Sequence, residues 1–325
     1  MAPVTPNTEL TLSFENQRAV VSPWGASLRR YVLINGGEHE TDIVWGYSGG
    51  DGKRGGQGDV LIPFPGRISD GRYTFEGRSL QLECNDKEGP NAIHGFVRSL
   101  PWHMQEAHAN KATFEIRLDA DTYAERGYPF SLAVRVTYDL GVSGLTCTFA
   151  VKNVGQRAAP VGVGFHPYFT VGTSLIDEAE VQIPGTAYLE FNERLVPTGA
   201  ILNVAGTPWD YRRFREIGRQ RFNHCYVQLE RDAQGTATAS LRHTAGDRAI
   251  DVTMDRTFSA VVVYTGDAIA EAPRAALAIE PMTCASDAFN HPDWGLKRLI
   301  PGETFSGRYN VRHRSIGRNP LRPED

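Results

Sequence analysis

The chain has 325 residues, of which 41% are apolar and 22% charged, and it carries a formal net charge of −4. This is the composition of a globular protein. A chain of this length buries roughly three quarters of the surface its unfolded form exposes, so no disulfide or metal staple is needed to hold a core. Lys and Arg are dispersed, which argues against nucleic-acid binding, and no apolar run approaches the ~18 residues of a membrane span.

The N-terminal Met1–Thr8 has neither the basic region nor the apolar centre of a signal peptide. Cys84, Cys147, Cys225 and Cys284 lie far apart, and no CxxC pair occurs. Both features predict a reduced, cytoplasmic protein.

Strand signals then follow one another along the chain. Leu10–Phe14, Leu132–Tyr138 and Leu145–Val151 alternate with period two and are rich in β-branched and aromatic residues. Gly and Pro punctuate them, as at Pro23-Trp24-Gly25, Gly127-Tyr128-Pro129 and Pro301-Gly302. The best helical segment, Ala285–Leu299, is short and contains Pro292 and Gly295. The expectation is an all-β protein of packed antiparallel sheets. With no fixed-period repeat and no Pro/Ser-rich linker, residues 1–325 read as a single domain. The glycine-rich stretch Gly49–Gly58 reads as a polar loop, either a plain surface connection or the edge of a site.

Three places carry chemistry. His94 sits in Asn91-Ala92-Ile93-His94-Gly95-Phe96, where Gly95 allows close backbone approach. His166 sits in Gly164-Phe165-His166-Pro167-Tyr168-Phe169, beside an aromatic wall of the kind that meets sugar rings. Either imidazole would also serve as a core histidine bonded to backbone. Glu280 follows the apolar run Ala276–Ile279, and a carboxylate buried there needs a partner or a function. Arg67, after Pro63-Phe64-Pro65-Gly66, would hold substrate hydroxyls or brace a carboxylate. Asn223 is either a hydroxyl-binding amide or a turn residue. His224 beside it is a possible site member or a core histidine, and the other six histidines read as surface or bracing groups.

Two imidazoles and a carboxylate are what acid–base chemistry on a neutral substrate requires. The same three groups could bind Fe(II) as a facial triad, although neither histidine has an acidic residue two positions on. Serine-nucleophile, Walker and dinucleotide-binding motifs are absent.

At these residues the sequence resembles the aldose 1-epimerase (galactose mutarotase) family. The landmarks are Pro63-Phe64-Pro65-Gly66-Arg67-Ile68, the Gly71-x-Tyr73-x-Phe75-x-Gly77 run, Asn91–Phe96 with Trp102, and Gly127–Phe130. They continue through Asn153, Gly164–Phe169, Val263-Tyr264-Thr265-Gly266, Ile279-Glu280-Pro281 and Asp287-x-x-Asn290. The resemblance implies a large antiparallel β-supersandwich and a mutarotase that needs no cofactor or metal. It also implies roles. Glu280 matches the general base at the anomeric hydroxyl, His166 the general acid at the ring oxygen, His94 the supporting histidine, and Arg67 a substrate-binding arginine. Two positions depart from the family pattern: Gly66 stands where members usually carry Asn, and Asn223 where they usually carry a sugar-binding Asp. Loss of that negative charge would lower repulsion toward an anionic sugar, such as a phosphorylated or sulfonated hexose. The expected substrate is a hexose, neutral or anionic. The alternative is a non-catalytic carbohydrate-binding or sugar-sensing protein on the same scaffold.

Overall fold

A computed structural model describes residues 9–37, 39–47, 52–243 and 245–317. The N-terminal octapeptide and residues 49–51 of the glycine-rich stretch lie outside the described residues.

Alternation of apolar and polar residues builds the long strands. Leu132–Gly141, Gly144–Asn153 and Thr304–Arg314 pair antiparallel and bury every second side chain, among them Val134, Val136, Tyr138, Phe149, Val151 and Tyr309. They are the centre of a nine-stranded sheet running from His103–Ala107 to Arg215–Glu216. A twelve-stranded sheet packs against it. Its main path runs through Leu10–Phe14, Gln17–Ser22, Ser27–Asn35, His39–Val44, Tyr168–Phe169, Leu277–Met282, Ala260–Tyr264, Asn223–Leu229, Gly185–Phe191 and Pro197–Asn203. Two further short strands, Val60–Leu61 and Gly164–Phe165, pair with each other beside this path. One core cluster takes residues from both sheets. Phe165 of the larger sheet, for example, touches Phe149 and Tyr309 of the smaller one. This is the all-β antiparallel sandwich expected.

The helical expectation for Ala285–Leu299 is corrected. That segment holds only a 3-10 turn at Pro292–Trp294 and a short strand at Lys297–Leu299. Pro292 removes a donor, and Asp287 and Gly295 both take positive φ, so the backbone turns instead of winding. Among the described residues the α-helix is a single turn, Ala120–Tyr123.

The strand that matters most is Leu277–Met282, whose six residues are all buried. Leu277 and Ile279 belong to the intersheet core, whereas Ala278 and Met282 belong to two smaller clusters on the other face. Glu280 shares the face of Ala278 and Met282, because side chains alternate along a strand. The larger sheet is therefore covered on both sides here, and Glu280 faces away from the main core.

Phe165→Ala removes a side chain that is 1% exposed and touches Phe149, Phe258 and Tyr309. It is expected to cost about 3–5 kcal/mol, read as a fall in the denaturation midpoint with urea.

Candidate active site

The register of the sheet brings the two principal groups together. Tyr168 lies opposite Ala278 and Gly164 opposite Met282, which leaves His166 opposite Glu280. The ladder is interrupted at His166-Pro167, since Pro167 has no N–H to give; its carbonyl accepts from the Ile279 N–H instead. Across this gap His166 Nε2 stands 3.3 Å from Glu280 Oε1, and both side chains are buried. The imidazole stacks on Tyr168, with ring centroids 5.1 Å apart and planes 19° apart.

A second row of contacts fixes the backbone of His166. Its N–H donates to the Asp59 carbonyl, and its own carbonyl accepts from Gly58 N–H. The described part of the glycine-rich stretch is thus packed into the site: Gly55 and Gly56 line the cleft, and the Tyr168 hydroxyl donates to the Gly55 carbonyl. Gly56 must be small, because a Cβ there would stand 3.1 Å from the His166 ring.

His94 reaches the same place from a tight turn. Ala92–Ile93 pairs with Arg67–Ile68, after which His94 and Gly95 both adopt φ of +64°. Gly95 allows the turn to close against the Ile62 carbonyl, which a Cβ would meet at 2.1 Å. The His94 N–H donates to the Gly66 carbonyl, and Gly66 N–H donates back to His94 Nδ1 at 3.2 Å. With Nδ1 accepting, the ring proton sits on Nε2. The His94 and His166 rings meet edge to face at 5.5 Å. Gly66 has φ of +67°, and a Cβ on it would strike Ser286 Oγ at 2.3 Å, so Ser286 occupies the space a larger residue would need.

Arg67 borders the cleft with its fork already engaged: Nε donates to Asp86 and one terminal nitrogen to Glu88, each at 2.8 Å. Asn223 enters from the strand beyond Ala260–Tyr264, opposite Tyr264, and its side-chain amide has no hydrogen-bond partner among the described residues. The cleft around these groups has a volume of about 480 Å³. Thus His94, His166, Glu280, Arg67 and Asn223 all line one cavity, whereas His224 lines an adjoining one.

The sequence reading overlooked a buried ion cluster behind the imidazoles. Asp59 is fully enclosed between Lys53 and Arg98, the latter at 3.3 Å. Its signal was available, as a charge placed just before the apolar run Val60-Leu61-Ile62.

Burial sets the electrostatics. It pushes the His166 imidazole down to about 3, with the nearby Arg98 and Lys53 cations adding to the effect. His166 Nδ1 is buried without a partner, so a second ring proton would have no acceptor. Burial also holds His94 well below the usual histidine range, reinforced by His166, Arg98 and Arg67. Glu280 is driven well above the usual carboxylate range by burial, against the pull of Arg67. An acid and a base thus lie within proton-transfer distance, and burial favours the neutral form of each. Among the described residues no three His, Cys, Asp or Glu side chains are grouped to hold a metal ion.

Residues 8–312 match the model of the aldose 1-epimerase family. The chain is 32% identical over 234 residues to YihR, an uncharacterised protein of Escherichia coli K12, covering 72% of this chain and 71% of that one. It is 30% identical over 260 residues to the galactose mutarotase of Rattus norvegicus, covering 75% and 73% respectively. The fold superimposes on the GalM/aldose epimerase homologue of C. elegans with a TM-score of 0.83, at 18% identity and over 96% of this chain and 100% of that one. With a β-sandwich that sets two histidines and a glutamate around one cleft, and a family match spanning nearly its whole length, the chain belongs to the aldose 1-epimerase family and is an isomerase of the mutarotase type.

Proposed function

We propose that the chain, acting as a single domain in the cytoplasm, interconverts the α and β anomers of a hexose through Glu280 and His166. The observation that carries this reading is the 3.3 Å contact between the two buried groups at the floor of the cleft. Free thiols at all four cysteines fit a reducing compartment, and no helix among the described residues is long and apolar enough to cross a membrane.

The reaction needs one proton shared by the pair. Glu280 as carboxylate takes the proton of the anomeric hydroxyl while His166 as imidazolium gives one to the ring oxygen. The bond between anomeric carbon and ring oxygen then breaks, leaving an aldehyde, a neutral Glu280 and a neutral His166. Rotation about the adjoining carbon–carbon bond presents the other face, and reclosure returns both protons. Burial favours the neutral pair in the empty cleft, so the resting proton distribution is that of the open-chain intermediate. Transfer across the Glu280–His166 contact supplies the ionised pair for ring opening. His94, held neutral with its proton on Nε2, donates to the sugar. Arg67, braced by Asp86 and Glu88, presents its remaining N–H groups, and the free Asn223 amide binds a hydroxyl.

The finer reading of the substrate is that it includes an anionic hexose. Arg54, Arg67, Lys87 and Arg98 border the cleft, and Lys87 makes no ion pair with the described residues. Asn223 adds no negative charge to that wall. Anomer exchange measured by NMR with glucose, galactose and their 6-phosphorylated and 6-sulfonated relatives tests the preference. A higher kcat/KM for an anionic member is expected, and equal rates for neutral and charged sugars remove this part of the reading.

Glu280→Gln keeps the shape and removes the base, so kcat should fall by about 10²–10⁴-fold while the melting temperature holds or rises. An unchanged rate overturns the assignment. The pH profile gives a second check. The singly protonated pair exists above the depressed His166 value and below the raised Glu280 value. Activity should therefore be retained as pH falls through about 6.5, the ordinary histidine value, and be lost as pH rises through the elevated Glu280 value. An acid limb centred near 6.5 in kcat/KM contradicts this.

A further inference from the structure

Strand Leu277–Met282 carries Glu280, and the turn that follows it sets Ser286 into the wall of the same cleft. Three hydrogen bonds hold that turn. The Asp287 N–H donates to the Arg67 carbonyl at 2.8 Å and the Ala285 N–H to the Trp294 carbonyl at 3.0 Å, while the Asp287 carboxylate accepts from the Ser69 N–H at 3.1 Å. Ser286 lies against Gly66. A Cβ at position 66 would stand 2.3 Å from Ser286 Oγ and 3.0 Å from Ser286 Cβ, so only glycine there leaves room for the hydroxyl. Gly66 also exchanges two hydrogen bonds with His94. Ser286 Oγ is thus placed beside the backbone that holds the His94 ring.

The serine is 4% exposed and opens onto the cleft. Only one other hydroxyl side chain lines it, that of Tyr264, which already accepts from the Ala268 N–H at 3.1 Å. Asn85 exchanges two hydrogen bonds with Ile93, Arg98 pairs with Asp59, and Arg67 pairs with Asp86 and Glu88. Ser286 Oγ, by contrast, has no hydrogen-bond partner among the described residues. A nearly buried hydroxyl without a partner is costly, and a methyl group in its place would avoid the cost. A ligand hydroxyl entering the cleft offsets it, since a serine can both donate and accept.

We infer that Ser286 is a substrate-binding residue, whose hydroxyl bonds one ring hydroxyl of the hexose other than the anomeric one. The inference rests on the mutarotase reading, in which Glu280 and His166 engage the anomeric hydroxyl and the ring oxygen. It makes the Gly66–Ser286 contact a determinant of specificity: glycine at 66 is what admits the hydroxyl, and the hydroxyl reads one position of the sugar.

Anomer exchange followed by NMR tests it with wild type, Ser286→Ala and Ser286→Cys, the latter keeping the volume with a weak donor. The parent sugar is whichever of glucose, galactose and their 6-phosphorylated and 6-sulfonated relatives wild type exchanges with the highest kcat/KM. It is compared with its 2-, 3- and 4-deoxy analogues, and with the 6-deoxy sugar where the parent is neutral. Both variants should lower kcat/KM on the parent by about three- to tenfold, the worth of one neutral hydrogen bond. On one deoxy analogue the difference between wild type and variant should shrink to within about twofold, because the partner hydroxyl is already missing. Circular dichroism melts establish that the variants are folded, and the cysteine variant carries the test if the alanine variant is not. Unchanged kcat/KM on the parent, or an equal loss on every deoxy analogue, overturns the role of Ser286 and leaves the mutarotase reading standing. Failure of wild type to exchange any parent sugar overturns the mutarotase reading and this inference with it.

Discussion

A carboxylate and an imidazole facing each other across an interrupted β-ladder are the constraint on which the cleft depends. Glu280 is carried by a strand buried on both faces, and a charge in such a place is costly unless something compensates it. His166 reaches Glu280 only because the ladder pairs on either side of it share one register. The missing N–H of Pro167 opens the gap in which the two side chains meet. A slip of one residue would turn Glu280 into the intersheet core and Ile279 into the cleft. The register that stabilises the sandwich is thus also the geometry that the proposed chemistry requires.

Around this pair the protein spends several buried polar groups on position. Gly58 and Asp59 hold the His166 backbone at both ends, and the Asp59 carboxylate is itself locked by Lys53 and Arg98. Gly66 and His94 exchange two hydrogen bonds, which fixes both the ring and its tautomer. Arg67 is gripped by two carboxylates before any ligand arrives. Such pre-bracing means that little reorganisation is needed when charge develops on a substrate. Burial, reinforced by the nearby cations, also favours the neutral form of both histidines in the empty cleft.

Asn223 lies where the cleft adjoins an aromatic cavity, and among the described residues neither the Asn223 amide nor His224 Nε2 has a protein partner. Uncommitted polar groups on a rigid scaffold are what a hydroxyl-rich ligand can use without first breaking protein contacts.

The sequence by itself determined the sandwich, because period-two patterns such as Leu132–Tyr138 and Leu145–Val151 permit one buried face and the turn residues end each strand. It also marked Glu280, since a carboxylate after Ala276–Ile279 conflicts with its neighbours, and His166, since glycines and aromatics surround it. Local patterns carry that information. Where the pattern was ambiguous, at Ala285–Leu299, a helical reading gave way to turns that Pro292 and two positive-φ residues impose. Only the tertiary structure decided that His166 stands opposite Glu280, that Asp59 and Arg98 lie behind the imidazoles, that Arg67 is already paired, and that His224 belongs to a neighbouring cavity. Each of these depends on pairings between strands distant in the chain. Long-range register leaves no trace in the composition of either strand alone.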